Sequence, residues 1–291
     1  MSTPHASVLI PTHNPGPAIE LVLRSVFEQQ PGADFEFEVL VVDSSSPQID
    51  VDRMRAFPIR FHRIAKADFG HGRTRNLLAQ LARGDVLLFM SQDAQPASPT
   101  WMRTLVEPLA DSMVAGVYAR QIPTRTADPL IRFFLGRTYS AQPARRRAAK
   151  RGGVRIQDIF FSNVSSAIRR DVWKQFPFRE DVIMSEDQYW ARDVLRAGYE
   201  VVYQPAAQVY HSHNYSLRGL FLRNWQSGAS LRGLIADPPI SIGLRGASYV
   251  LAQAVYLLRS GRVQWLPYML VYEATKALGF SLGMRFGPRR A

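Results

Sequence analysis

Cysteine is absent from this chain of 291 residues, which excludes disulfides and thiolate metal sites. A membrane-spanning helix needs about 20 mainly apolar residues, and the apolar stretch over 266–282 is interrupted by Pro267, Glu273 and Lys276. No secretory pattern opens the chain: Met1 to His5 is polar and the first apolar run is only a strand long, so a cytoplasmic location is expected. Long internal repeats and low-complexity tracts are also missing. Acidic residues are scarce beside basic ones, 24 against 36, leaving a formal charge of +12. That balance calls for an anionic partner: nucleotide phosphates, an acidic membrane surface or nucleic acid. The bland alternative is a solvated surface. No nucleic-acid reader motif accompanies the charge, so nucleic acid is not the expected partner.

What is present is a series of short apolar runs, each ending in a polar, turn-forming cluster. Val86-Leu87-Leu88-Phe89-Met90 follows the Gly84-Asp85 turn signal and runs into Ser91-Gln92-Asp93. Five apolar residues in a row read as a strand buried on both faces. Ser7 to Pro11 leads into Thr12-His13-Asn14, and Phe37 to Val42 leads into Asp43-Ser44-Ser45-Ser46. Helical spacing connects them, with Ile19, Val22, Leu23 and Val26 on one face of 18–29 and a second helix over 74–82. Alternating strands and helices predict an α/β fold with a mostly parallel, doubly wound sheet. Ligands of such sheets bind at the carboxyl ends of the strands. Asp93 is placed there to hold a divalent cation against a phosphate, although an Asp at a loop end also suits a helix N-cap.

The second half supplies another acidic pair. Ser185-Glu186-Asp187-Gln188 opens a helix that runs to about Arg196 and stops before Gly198. Ser185 with Gln188 has the pattern of a capping box, and the acidic pair also suits the positive end of a helix dipole. Val201 to Tyr203 reads as a strand, and Val209-Tyr210 leads into His211-Ser212-His213. Histidines two apart on extended chain point the same way, toward a metal or a phosphate.

Val8 to Asn14, Val41 to Ser46, Thr74-Arg75-Asn76, Phe89 to Ala94 and Ser185-Glu186-Asp187 occur in an order that resembles family 2 glycosyltransferases. Phe69 to Asn76, followed by Ser91 to Ala94, is similar to the rhamnosyltransferase branch of bacterial polysaccharide assembly. The resemblance spans about residues 6–215 and implies a GT-A fold. In its terms, 1–98 is the nucleotide-binding half, 99–215 the acceptor half, and 216–291 a helical extension. It implies that Pro11, Thr12, Asp43, Arg75, Asn76 and Gln92 meet the nucleotide, with Asp43 reading a pyrimidine edge. Asp93 matches the last acid of a D-x-D motif holding Mg or Mn, with Ser91 where the first acid is usual. Asp187 matches the catalytic base with Glu186 beside it, and His211 or His213 a further metal or phosphate ligand. The implied function is inverting transfer of a sugar, rhamnose in that branch, from a nucleotide-diphosphate sugar to a lipid-linked or polysaccharide acceptor. The competing function is a non-catalytic protein that binds nucleotides or anionic glycans on the same fold.

Two regions lie outside those motifs. An Arg-rich stretch from Arg137 to Arg155 lacks apolar period over 142–153 and reads as a mobile loop near the site, with Asn163 lining the acceptor cleft beyond it. Residues 217–234, 244–258 and 266–282 read as helices, aromatic and flanked by Arg. That composition suits contact with the inner face of an anionic membrane; a cap on the core or a homodimer interface is the alternative.

Overall fold

A computed structural model describes residues 5–147, 158–232, 234 and 239–287, with the backbone alone over 239–245. The first half runs β1 (Ala6–Thr12), α1 (Ala18–Phe27), β2 (Phe37–Ser44), α2 (Gln48–Arg55), β3 (Arg60–Ile64), α3 (His71–Leu81) and β4 (Val86–Met90). Its strands are all parallel, in the order β3-β2-β1-β4. Alternation along each strand explains the unbroken apolar runs. Val8, Ile10, Val39, Val41, Leu88 and Met90 face a cluster beneath α1, α2 and Trp101. Leu9, Leu40, Val42, Leu87 and Phe89 face the opposite cluster with Leu78, Phe161 and Trp190. Both faces are covered, so both sets of alternate positions are mainly apolar.

The sheet continues into a mixed half. It comprises β5 (Gln95–Pro96), α4 (Trp101–Val106), β6 (Val114–Ile122), α5 (Pro129–Thr138), β7 (Ala144–Arg146), β8 (Ser165–Arg169), α6 (Arg170–Gln175), α7 (Glu186–Arg196) and β9 (Glu200–Tyr210). β8 lies antiparallel between β4 and β6, β9 runs parallel to β6, and the short β5 and β7 pair antiparallel to β9. The expected loop over 142–153 is therefore corrected at 144–146, where Arg145 pairs with Asp111 and Glu200 and the chain forms an edge strand. Residues 148–157 of that stretch lie outside the described residues.

Three helices follow: α8 (Leu217–Leu231), α9 (Pro239–Arg259) and α10 (Leu266–Phe286). Leu220, Leu231, Leu257, Met269 and Tyr272 belong to the same buried cluster as Phe161 and Trp190. Close packing of α8 on α10 depends on glycine. A Cβ at Gly283 would stand 2.0 Å from the Trp225 carbonyl oxygen, and one at Gly228 would stand 2.2 Å from that of Phe280. No helix among the described residues is long and apolar enough to cross a membrane.

Candidate active site

The site forms where β1, β2 and β4 end and where the chain after β4 reaches the end of β9 through β5. Beyond β4 the chain turns tightly, with the Ala94 amide bonded to the Ser91 carbonyl at 3.1 Å. Gln95 then pairs with Tyr210 at the end of β9. This two-residue strand brings Asp93 to the His211-Ser212-His213 segment. His213 Nε2 lies 3.1 Å from Asp93 Oδ2, and His211 Nε2 lies 3.5 Å from Asp93 Oδ1. The two imidazole Nε2 atoms are 3.1 Å apart, and all three groups offer ligand atoms within 4.8 Å of one another. Burial pushes the Asp93 carboxyl up, but its hydrogen bonds and charge interactions with His211 and His213 outweigh this and hold it well below the usual range. A carboxylate and two converging imidazoles fit a divalent transition-type cation.

Behind His211 stands Gln121. Its Oε1 meets His211 Nδ1 at 2.8 Å, and its Nε2 meets Ser162 Oγ at 3.0 Å and also the Tyr139 hydroxyl. With a cation in the cluster, His211 would donate through Nδ1 to Gln121 and present its Nε2 lone pair, the arrangement by which outer partners orient metal-binding histidines. Sequence reasoning missed Gln121. Its signal was an amide following Arg120 at the end of an otherwise apolar strand, next to Ile122-Pro123.

Asp187 lies in the first turn of α7. Its Oδ2 accepts from the Asn163 amide at 3.2 Å and its Oδ1 from the Gln188 amide at 2.9 Å. Burial, then the adjacent Glu186 charge, raise Asp187 to about 7, against the opposing pull of the Asn163 amide and Arg75. Ser162 and Asn163 are consecutive, so Gln121 and Ser162 connect the Asp93–His211 cluster to the Asp187 carboxylate. The expected capping box is corrected: Ser185 has φ +67° and its side chain caps nothing. Left-handed Ser185 aims the start of α7, and Gln188 and Tyr189 amides bond the Ser185 carbonyl instead.

Two residues expected at the nucleotide are engaged elsewhere. Arg75 Nη1 forms a buried ion pair with Glu186 Oε1 at 2.9 Å and bonds the His71 carbonyl at 3.2 Å. Glu186 also accepts from Asn163 Nδ2 at 3.4 Å. Asn76 donates to the Phe178 carbonyl and to Glu180, and accepts from Trp173 Nε1 and the Phe178 amide. Its amide is saturated, so Asn76 fastens α3 to the 176–180 segment. Burial first, then Arg75 and Arg223, push His71 below its ordinary value against the opposing Glu186 charge.

The remaining residues expected on the nucleotide side are knitted together at the strand ends. Thr12 Oγ1 donates to Asp43 Oδ1 at 3.0 Å, and Asp43 Oδ2 accepts from the Ser46 amide at 2.9 Å. Asp43 is fully buried, and it organises the 43–46 turn with both oxygens in use. Gln92 grips His13 at both ends, accepting from its amide at 2.8 Å and donating to its carbonyl at 3.2 Å. Pro11 is half-buried beneath this loop. Among the described residues, three non-glycines have positive φ: Asn14 (46°), Ser45 (62°) and Ser185 (67°). The first two sit in the loops after β1 and β2 and the third before α7; left-handed backbone costs about 1–2 kcal/mol per residue, and such strain concentrates at functional sites.

Comparison with known proteins extends the picture. Residues 7–176 match the model of Glycosyl transferase family 2. The O-antigen chain rhamnosyltransferase RfbN of Salmonella typhimurium is 32% identical over 282 residues, 95% of this chain and 88% of that protein. The O-antigen chain rhamnosyltransferase WbaN of Salmonella anatum is 28% identical over 284 residues, 96% of this chain and 89% of that protein. Among solved structures, a mannosyltransferase from Pyrobaculum calidifontis, in complex with GDP-Man and Mn2+, superposes with a TM-score of 0.66. It is 20% identical, and the match covers 98% of this chain and 88% of that one.

Proposed function

This chain belongs to glycosyl transferase family 2, and we propose that it transfers rhamnose with inversion from a nucleotide-diphosphate sugar to a hydroxyl of a lipid-linked or polysaccharide acceptor. Nucleotide-sugar-dependent glycosyl transfer follows from the family and the rhamnosyltransferase relatives; the non-catalytic alternative is not favoured. The sugar, the stereochemistry and the residue roles are our reading. The observation that supports it is the hydrogen-bond connection of the Asp93–His211–His213 cluster to Asp187 through Gln121, Ser162 and the adjacent Asn163 amide.

In this reading Asp93, His211 and His213 hold the cation. Imidazole favours a transition-type ion over magnesium, which prefers oxygen, so manganese is the better candidate of the two. When bound, such an ion supplies Lewis-acid stabilisation to the departing diphosphate. Thr12, Asp43 and Gln92 shape the nucleotide side by fixing the loops after β1, β2 and β4. Asp187 takes the proton from the acceptor hydroxyl as its oxygen bonds the sugar C1 and the C1–diphosphate bond breaks. One carboxylate suffices, and C1 inverts. A value near 7 suits a base working near neutral pH. Glu186 and Arg75 act through Asp187 by setting its electrostatic surroundings.

The membrane reading draws support from α9 and α10. Leu251, Leu258, Leu270 and Leu278 are all more than half exposed there, and Arg259, Arg262 and Arg285 lie among them. Apolar and cationic residues together suit peripheral docking on an anionic cytoplasmic leaflet. We take 1–215 as the catalytic unit and 216–291 as the docking arm.

The test is Asp187→Asn. Donor binding, read by calorimetry with UDP-, dTDP- and GDP-sugars in Mn, should persist, while transfer falls by about a hundredfold to ten-thousandfold. Near wild-type turnover would remove Asp187 as the base. A loss of donor affinity equal to the loss of turnover would place it in the nucleotide site.

A further inference from the structure

Tyr215 joins the metal-ligand cluster to a second concavity. Its ring centroid lies 5.5 Å from that of His213, and it lines an open cleft of about 440 Å³ with Trp265, Tyr268, Asp128, Asn214 and Gln264. That volume falls within the range of small-molecule sites, about 300–1,000 Å³. Trp265 and Tyr268 flank the start of α10, with ring centroids 5.9 Å apart and planes at 77°. They offer two nearly perpendicular apolar faces, and Tyr268 is 37% exposed.

The polar edges are partly unspent. Asp128 Oδ1 caps α5 through the Ile131 amide at 2.8 Å, and Oδ2 makes no bond among the described residues. Asn214 Oδ1 accepts from the Asp128 amide at 3.0 Å and its Nδ2 donates to the Thr126 carbonyl at 2.9 Å, which leaves one N–H. The Gln264 side chain makes no hydrogen bond among the described residues. The lining therefore has three aromatic rings, two amides and a carboxylate, and neither Lys nor Arg.

That chemistry selects its ligand. Ring faces pack against the C–H face of a pyranose, and amides with a carboxylate pair with hydroxyls. The Asp128 carboxylate repels phosphate, and the one guanidinium over a lining ring among the described residues, Arg223 at 5.4 Å from the Tyr215 centroid, is outside the lining. The nucleotide side lies at the ends of β1, β2 and β4, so the donor does not need this cleft. Building on the transferase reading above, we propose that the cleft is an acceptor subsite for a neutral pyranosyl residue of the acceptor glycan. It gives α10 a part in the site: the helical arm brings Trp265 and Tyr268 to the catalytic unit.

The experiment needs neither donor nor metal. Methyl pyranosides of the rhamno, manno, galacto and gluco series, and inorganic phosphate as a separate arm, are titrated into the full chain. Binding is read by tryptophan fluorescence and saturation-transfer NMR. At least one pyranoside should bind saturably, and phosphate should not quench at the cleft. Trp265→Ala and Tyr268→Leu should each weaken the pyranoside at least tenfold, while Trp265→Phe retains most of the binding. Because Tyr268 is exposed, its variant keeps the test valid should Trp265→Ala misfold. In turnover the same variants should raise the acceptor KM about tenfold and leave the donor KM unchanged. No saturable pyranoside binding overturns the subsite, as does equal binding in wild type and both variants, or binding of phosphate alone. Pyranoside binding lost in the variants, in a protein that turns over no donor, would support the cleft and remove the transferase reading alone.

Discussion

Replacing Glu186 by Gln tests how the base is tuned. Asp187 is raised to about 7 by burial first and by the Glu186 charge second. Gln keeps a carbonyl oxygen for Arg75 and Asn163 but deletes that charge. Two consequences share a sign. Repulsion on the Asp187 carboxylate disappears, and the Arg75 guanidinium, now neutralised by Glu186 at 2.9 Å, acts on Asp187 unopposed. A charge within about 4–6 Å moves a carboxyl by about 1–3 pH units, so the acid limb of the kcat profile should fall to about 6 or below. With a single ionising base, the rate at pH 6 is about a tenth of that at pH 8 when the limb lies at 7, and about half when it lies at 6. The ratio of kcat at pH 6 to kcat at pH 8 should therefore rise about fivefold, while the plateau falls because a weaker base is a poorer one. Stability carries the same signature. A raised folded pKa means that the native state holds a proton the unfolded chain releases, so Asp187 costs stability as pH rises from about 4 to about 7. The variant should lose less stability than wild type over that window. Neutralising one partner of a buried pair can itself cost about 3–5 kcal/mol, so urea unfolding is run at pH 5 and pH 8 beside the kinetics. An acid limb that stays at 7 or moves upward would refute the electrostatic account.

Asp93→Ala should reduce nucleoside-diphosphate affinity in Mn by tenfold or more while the fold survives, and Gln121→Leu, one step behind His211, should cost about 10–100-fold in metal affinity; calorimetry with and without Mn reads both, and unchanged affinity removes the metal role. Gly283→Ala should destabilise by about 1–3 kcal/mol through overpacking against Trp225, whereas Gly136→Ala, where a Cβ would meet nothing within 4 Å, should be neutral or stabilising; thermal melts compare them. Leu270→Glu with Leu278→Glu should weaken binding to anionic liposomes, and salt should weaken it further. Equal co-sedimentation of that variant with wild type would remove the helical face as the membrane contact, and a concentration-dependent change in mass would make it a subunit interface.

The parts of the fold written in local pattern were legible. Val86–Met90 reads as a strand because five apolar residues serve two dry faces, and the structure gives β4 those bounds. The histidines meet because residues two apart on extended chain share a side, as the 3.1 Å between their Nε2 atoms reflects. What stayed hidden depended on partners far away in sequence. β8 is Ser-Ser-Ala-Ile-Arg, too short and polar to announce a central strand, and exists because β4 and β6 bond both its edges. Arg145 looked like loop charge because the Asp111 and Glu200 that neutralise it lie elsewhere in sequence. Arg75 and Asn76 carry the residue types that suit a nucleotide, but only tertiary structure shows Glu186 and the 176–180 segment already holding them.

Ser91 in place of an acid changes the electrostatics of the cluster as well as its composition. A second carboxylate would add a negative charge, whereas an imidazole that binds a cation adds none. In the proposed site the donor set would carry one charge, from Asp93, and would leave more of a divalent cation's charge for the diphosphate. Retention of an ion would then fall more heavily on geometry, to which Gln121 behind His211 and the β5–β9 pairing behind Asp93 contribute. Imidazoles must also be unprotonated to bind a cation, so acid should lower activity by two independent routes, cation release and protonation of Asp187. Saturating Mn suppresses the first route and leaves the second. An acid limb that survives saturation and shifts with Glu186→Gln belongs to Asp187, whereas one that moves only with Mn concentration belongs to the histidines.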